Sequence, residues 1–224
     1  MEADVVKNLQ KIKNSIPSHV TLVAVSKTKP VELVKKVYDA GHKIFGENRV
    51  QELVDKYEKL PKDIQWHMIG HLQTNKVKYI VPFVTMIHSV DSVKLLLEIN
   101  KRAQKVNRKI DILFEIHIAQ EPSKFGLTYE QAEEIVSSDI LKNFPFVNVR
   151  GLMGMATFTE DMEQVRKEFR GLKQFFDRLK HTYFANKQDF DTLSMGMTHD
   201  YQIAIEEGST MVRIGTAIFG PRNY

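Results

Sequence analysis

Apolar residues recur along this chain in two alternating patterns. Short runs of strand length fall at 20–25, 43–45, 65–69, 84–88, 110–116, 147–153, 192–195 and 211–214, and predict eight β-strands. Between them lie longer stretches with apolar residues at helical spacing. One carries Val31, Val34, Val37 and Tyr38 and is closed by Gly41; another carries Tyr201, Ala204 and Ile205 and is closed by Gly208. Over 160–180 the stripe Met162, Val165, Phe169, Leu172, Phe176 and Leu179 steps by threes and fours. It spans fewer than three heptads, so it predicts a helix facing a sheet rather than a coiled coil. Eight strands, each but the last followed by a helix, predict a closed parallel (β/α)8 TIM barrel rather than an open doubly wound sheet. A further helical segment, 5–16, precedes the first strand and is positioned to cover the closing seam. No Pro/Gly/Ser-rich linker, repeat or low-complexity tract interrupts the chain, so 1–224 reads as one domain.

Composition narrows the class. Charged residues make up 27% and hydrophobic residues 42%, as in a globular protein. The net charge of +4 is spread among nearly balanced acids and bases, and no basic stripe calls for nucleic acid. Cysteine is absent, which excludes disulfides and thiolate metal sites and suits a reducing compartment. The N-terminus carries Glu2 and Asp4 and lacks an apolar run, and no window approaches the roughly 20 apolar residues of a membrane span. The expectation is a cytoplasmic protein with no membrane partner.

In a barrel of this kind chemistry sits at the C-terminal ends of the strands. The first strand runs into Ser26-Lys27-Thr28-Lys29-Pro30, which puts Lys27 at the mouth beside an apolar run. Desolvation there lowers a lysine's pKa and frees the neutral amine needed to form an imine with an aldehyde. Lys29 is a second candidate, and a solvated loop lysine is the plain alternative. The seventh and eighth strands run into Ser194-Met195-Gly196-Met197-Thr198-His199-Asp200 and Arg213-Ile214-Gly215-Thr216. Glycines allow close backbone approach to an anion, and these two loops are the usual phosphate site of a barrel. With a lysine opposite, the combination suggests a phosphorylated aldehyde. Arg213 is either a strand-end ion pair or the partner of a pyridine nitrogen, a position taken by Asp or Arg in proteins that hold pyridoxal 5'-phosphate (PLP). A permanent cation there disfavours ring protonation. His42, His71, His88 and His199 lack metal-ligand spacing, so no metal is expected.

Six segments carry a family resemblance: AVSKTKP (24–30), FGENRVQE (45–52), WHMIGHLQTNK (66–76), GLMGM (151–155), LSMGMTHD (193–200) and STMVRIGTAIFG (209–220). In order and over nearly the whole chain, they resemble the pyridoxal phosphate homeostasis family, also called the proline synthetase co-transcribed homologue family. The resemblance implies a fold-type III PLP-binding barrel similar to the alanine racemase N-terminal domain, with PLP as a Schiff base on Lys27. It implies Arg213 at the pyridine nitrogen and Ser194, Gly196, Gly215 and Thr216 at the phosphate. Asn48, His67 and Met155 also fall on family-matched positions near the cofactor. Core packing is the alternative for His67 and Met155. Two departures stand out: His117 replaces an asparagine common in the family, and Thr198 a serine. Glu121, Lys124 and Gly126 of the same motif as His117 are present.

Three functions compete. A carrier for PLP homeostasis would bind the cofactor and supply it, conceivably to PLP-dependent apo-enzymes, as a monomer without substrate turnover. An amino-acid racemase needs two opposed proton-transfer groups. Alanine racemase draws the second from a further domain and the partner subunit, and this chain, which ends at Tyr224, is expected to lack that domain. A Schiff-base aldolase is the third reading, against which Arg213 and the family segments argue.

Overall fold

The structure is a computed structural model that describes residues 4–121 and 125–221; Lys124 and Tyr224 lie outside them. The strands are β1 (Thr21–Val25), β2 (Ile44–Glu47), β3 (Gln65–Met68), β4 (Met86–Val90), β5 (Ile110–Ile116), β6 (Val147–Gly154), β7 (Thr192–Ser194) and β8 (Met211–Ile214). All pair in parallel, in sequence order, and β8 closes on β1 to give a (β/α)8 barrel. The helices are α1 (Val5–Ser15), α2 (Val31–Asp39), α3 (Val50–Lys59), α4 (Val77–Ile80), α5 (Val93–Lys105), α6 (Tyr129–Ser137), α7 (Met162–Thr182), α8 (Tyr201–Glu206) and α9 (Thr216–Phe219). Among the described residues no helix is long and apolar enough to cross a membrane.

Local chemistry sets the ends of these helices. Asp4, Ser92 and Asp161 accept first-turn amides at the starts of α1, α5 and α7, and Thr128 with Gln131 forms a reciprocal capping box on α6. Gly41 and Gly208, at φ +87 and +98, terminate α2 and α8 in the left-handed conformation. Each supports the paired 6→1 and 5→2 hydrogen bonds of a Schellman motif: His42 N–H to Val37 and Gly41 N–H to Tyr38, then Ser209 N–H to Ala204 and Gly208 N–H to Ile205. α1 packs against α2 and α9, and the Asn8 amide donates to the Ile218 carbonyl at 3.1 Å, so α1 covers the β8–β1 seam.

All eight expected strands form, with shifts at their ends. β2 runs on to Glu47 because Gly46 and Glu47 keep pairing with His67 and Met68, and because Glu47 finds a buried partner in Lys56. The last strand is followed by a helix after all, the single turn α9. After β3 the chain takes a 3-10 turn, Thr74–Lys76, before the short α4.

Alternation divides the core in two. Leu22 and Ala24 of β1 face the helices with Phe45, Trp66, Phe114 and Phe169, while Val23 points into the barrel with Met86, Leu113, Met153 and Met211. The interior also holds polar groups in series. The Arg213 guanidinium donates to Ser194 Oγ at 2.6 Å, Ser194 Oγ meets His88 Nδ1 at 3.0 Å, and His88 Nε2 meets His67 Nδ1 at 2.9 Å. Arginine only donates, so the buried Ser194 hydroxyl must place its own proton on His88 Nδ1 or leave it unsatisfied. His88 therefore donates from Nε2 to His67, whose ring lines a cavity of about 320 Å³ at the N-terminal end of the barrel.

Two predictions follow from the interior. Between β5 and β6 the register jumps: Ile112 pairs with Val149 and Leu113 with Gly151, leaving Arg150 as the extra residue of a bulge. Gly151 has φ +154, and a Cβ there would lie 1.8 Å from the Thr192 carbonyl oxygen. Gly151→Ala should cost about 3 kcal/mol in urea denaturation; a loss below about 0.5 kcal/mol would show that the bulge can relax. The second concerns His67, which burial pushes down to about 3, and His88, which burial, His67 and Arg213 push well below its ordinary value. A histidine kept neutral by the fold takes up a proton on unfolding. Its contribution is complete above the unfolded value of 6.5 and is lost as pH falls from 6.5 towards 3. His67→Gln removes that loss, so its deficit against the parent at pH 7.5 should shrink by about 2 kcal/mol by pH 5. A deficit that is the same at both pH values would contradict a neutral buried ring.

Candidate functional site

Lys27 stands at the C-terminal end of β1, half-buried, in a turn closed by the Lys29 N–H to the Ser26 carbonyl at 3.0 Å. Thr28, third in this turn, has φ +64, a conformation that suits glycine or asparagine. For a β-branched residue it costs on the order of 1–3 kcal/mol and persists only where surrounding contacts enforce it. Those contacts come from β2 and α3. Glu52 Oε1 accepts the Thr28 N–H at 2.6 Å, and Ser26 Oγ donates to Glu47 Oε1 at 2.5 Å. The Lys56 ammonium donates to the Ser26 carbonyl at 2.7 Å, to Glu47 at 2.6 Å and to Glu52 at 2.7 Å, which uses all three of its donors. Burial pushes Glu47 up to about 7 against the pull of Lys56 and Ser26. Lys29 is engaged elsewhere: its ammonium donates to the Pro221 carbonyl at 2.5 Å.

Arg213 lies beside β1, in register with Val23, and is 3% exposed. Its guanidinium donates to the Ser194 carbonyl at 2.9 Å and to the Gly154 carbonyl at 3.2 Å, besides Ser194 Oγ. Its hydrogen-bond acceptors are thus neutral. Burial lowers its pKa to about 10 while Asp200 and Glu115 pull the other way, so the group stays cationic at neutral pH. Three bonds leave part of its five-donor fork for a ligand. Glu115, on β5, is pushed up to about 7 by burial and by Asp91, with Arg213 opposing.

The β7 and β8 loops close the mouth on this side. Gly196 has φ +99, and a Cβ there would approach Ala204 Cβ to 2.6 Å and Tyr201 Cα to 2.9 Å, so only glycine lets α8 pack onto its own loop. The Asp200 carboxylate fastens that loop by accepting the Met197 N–H at 2.6 Å. Gly215 brings the β8 loop against β1: a Cβ there would lie 3.1 Å from the Val25 carbonyl oxygen. Thr216 follows, exposed, at the start of α9.

Lys27, Asn48, Met155, Gly196, Gly215 and Thr216 thus gather at the ends of β1, β2, β6, β7 and β8, with Met155 42% exposed. Asn48 also lines an adjoining cavity of about 550 Å³ with Arg49, His71 and Lys76. Two expected residues lie deeper. The Ser194 hydroxyl is fully buried and committed to Arg213 and His88, and His67 reaches the site only through His88 and Ser194. Sequence reasoning missed Glu47, Lys56, Glu52, His88, Glu115 and Asp200. Glu47 and Glu52 fall within FGENRVQE and Asp200 within LSMGMTHD, yet their pairings join separate elements and leave no local signal.

The chain resembles known proteins in sequence and in fold. A family model described as alanine racemase, N-terminal domain, matches residues 3–223. The pyridoxal phosphate homeostasis protein of Aquifex aeolicus is 45% identical over 204 residues, covering 91% of this chain and 87% of that relative. That of Escherichia coli K12 is 34% identical, covering 99% and 98%. The structure of PipY from Synechococcus elongatus PCC7942, solved with PLP bound, is similar with a TM-score of 0.88 at 30% identity, covering 97% of this chain and 100% of PipY. Alanine racemase of Clostridium difficile 630 shares the fold, with a TM-score of 0.78 at 17% identity over 57% of that enzyme. This chain belongs to the alanine racemase N-terminal domain family and, within it, to the pyridoxal phosphate homeostasis proteins.

Proposed function

We propose that this protein binds PLP at the barrel mouth and serves PLP homeostasis as a carrier, without turning over a substrate. The observation that carries the reading is the placement of Lys27 at the end of β1, the strand that pairs with β8 and its buried cation Arg213, beside the glycine loops, in a chain 30% identical to PipY, which was solved with PLP bound. The residues fit the cofactor. Lys27 offers an amine at the mouth, Arg213 keeps donors for the pyridine nitrogen, and Gly196, Gly215 and Thr216 offer close backbone and a hydroxyl to the phosphate. When bound, PLP supplies an aldehyde carbon with which the Lys27 amine forms a Schiff base with loss of water.

On this reading Asn48 and Met155 border the cofactor, while Ser194 and His67 act through Arg213. Arg213 disfavours ring protonation, which suits holding PLP better than carbanion chemistry on it. The chain works as one barrel domain, a cytoplasmic monomer, and PLP-dependent apo-enzymes are the recipients of its cofactor.

Lys27→Ala should abolish the borohydride-fixable PLP adduct while phosphate-dependent binding of PLP persists, weakened at least tenfold. Lys29→Ala should retain the adduct. Peptide mapping of the reduced proteins decides it, and an adduct that survives on Lys29 in the Lys27 variant would reverse the assignment. The purified protein should also show no sustained alanine racemisation; turnover proportional to protein and lost with Lys27 would favour the racemase reading.

A further inference from the structure

We infer that Glu47, Lys56 and Glu52 form a clamp that forces the turn at 26–29 and thereby aims the Lys27 amine into the barrel mouth. The inference rests on Lys27 being the lysine that meets PLP; none of the three clamp residues is itself placed against the cofactor.

The pattern of bonds carries the argument. A buried pair that merely tied α3 to β2 would need only the Lys56–Glu47 contact at 2.6 Å. Here the bonds continue onto the backbone on both sides of Lys27. Lys56 holds the Ser26 carbonyl, the same oxygen that accepts the Lys29 N–H closing the turn. Glu52 holds the Thr28 N–H, and Ser26 Oγ is held by Glu47. The held residue Thr28 is the one in the left-handed region, at φ +64. A β-branched residue leaves that region unless it is kept there. The clamp thus stands where the turn is least stable by itself, and Lys27 is the residue between its two points of attachment. Lys56 is buried and Glu47 wholly so, which removes competing water from the charged hydrogen bonds, while Glu52 reaches in from the partly exposed start of α3. The three side chains are positioning residues: they act on the amine through the backbone.

Glu52 is the residue to vary, since its side chain is 24% exposed and Glu47 and the Ser26 carbonyl still hold Lys56 when it is truncated. Four proteins are compared: the parent, Glu52→Ala, Glu52→Gln, and Glu52→Ala combined with Thr28→Gly. Circular dichroism verifies folding. Three quantities are read: the rate of the borohydride-fixable Lys27 adduct with PLP, affinity for pyridoxine 5'-phosphate, and hydrogen exchange at the residue 28 amide. Pyridoxine 5'-phosphate has no aldehyde and cannot form an imine. Glu52→Ala should slow the adduct about tenfold, the scale of one charge-assisted hydrogen bond, and lose amide protection, with affinity for pyridoxine 5'-phosphate unchanged. Glu52→Gln, which keeps an acceptor, should retain most of the rate. Thr28→Gly should restore the rate in the Glu52→Ala background, because glycine adopts the turn unaided. An unchanged rate in Glu52→Ala, no rescue by Thr28→Gly, or a parallel fall in pyridoxine 5'-phosphate affinity would each overturn the clamp. If the parent forms no Lys27 adduct, the PLP reading fails, and the clamp then stands or falls on amide exchange in Glu52→Ala alone.

Discussion

The pairing of β8 with β1 is the constraint on which the rest of this molecule depends. It closes the barrel, sets Arg213 beside Val23, and brings the loop after β8 against Val25, the last residue of β1. Lys27 and Arg213 are far apart in sequence, and neither the arginine nor the glycines near it would form a site without that register. The parallel pairing also fixes which face of each strand looks inward. A one-residue slip would send Arg213 out among the helices and put Val212 in its place. α1 lies across this seam, with Asn8 tied to Ile218.

A cation in the middle of a barrel needs support that does not neutralise it. Arg213 has two backbone carbonyls and one hydroxyl as its acceptors, while the acids Glu115 and Asp200 influence it without a direct hydrogen bond. This arrangement satisfies part of the guanidinium without a direct ion pair to neutralise its charge. The apolar ring of Val23, Met86, Leu113, Met153 and Met211 fills the barrel around the polar series, so the histidines are desolvated and stay neutral.

Much of this was legible from residue order. The alternation of apolar runs predicted all eight strands because each is long enough to carry its own period, and β5 and β8 begin and end where the pattern says. Gly41 and Gly208 marked helix ends because only local geometry decides a Schellman motif. Lys27 and the glycine loops stood out because they immediately follow strands. What could not be read was partnership across elements. The strand pattern runs through Ser194, but its nearness to Gly196 suggests a phosphate contact; it points inward instead, and one position along a strand decides between those fates. Lys56 reads as one more surface lysine on a helix; only the packing of α3 against β2 reveals that it is buried.

The order of donors along the barrel axis has a consequence for how the protein can change. Arg213, Ser194 and His88 each give a hydrogen to the next member, ending at His67, because the first member cannot accept. A carboxylate at position 213 would accept instead. The hydroxyl would then have to turn round, His88 would have to move its proton to the other nitrogen, and His67 would have to follow. Exchange of the arginine for an acid would therefore turn the hydrogen bonds of the whole series, so its effect falls on four residues and not on position 213 alone.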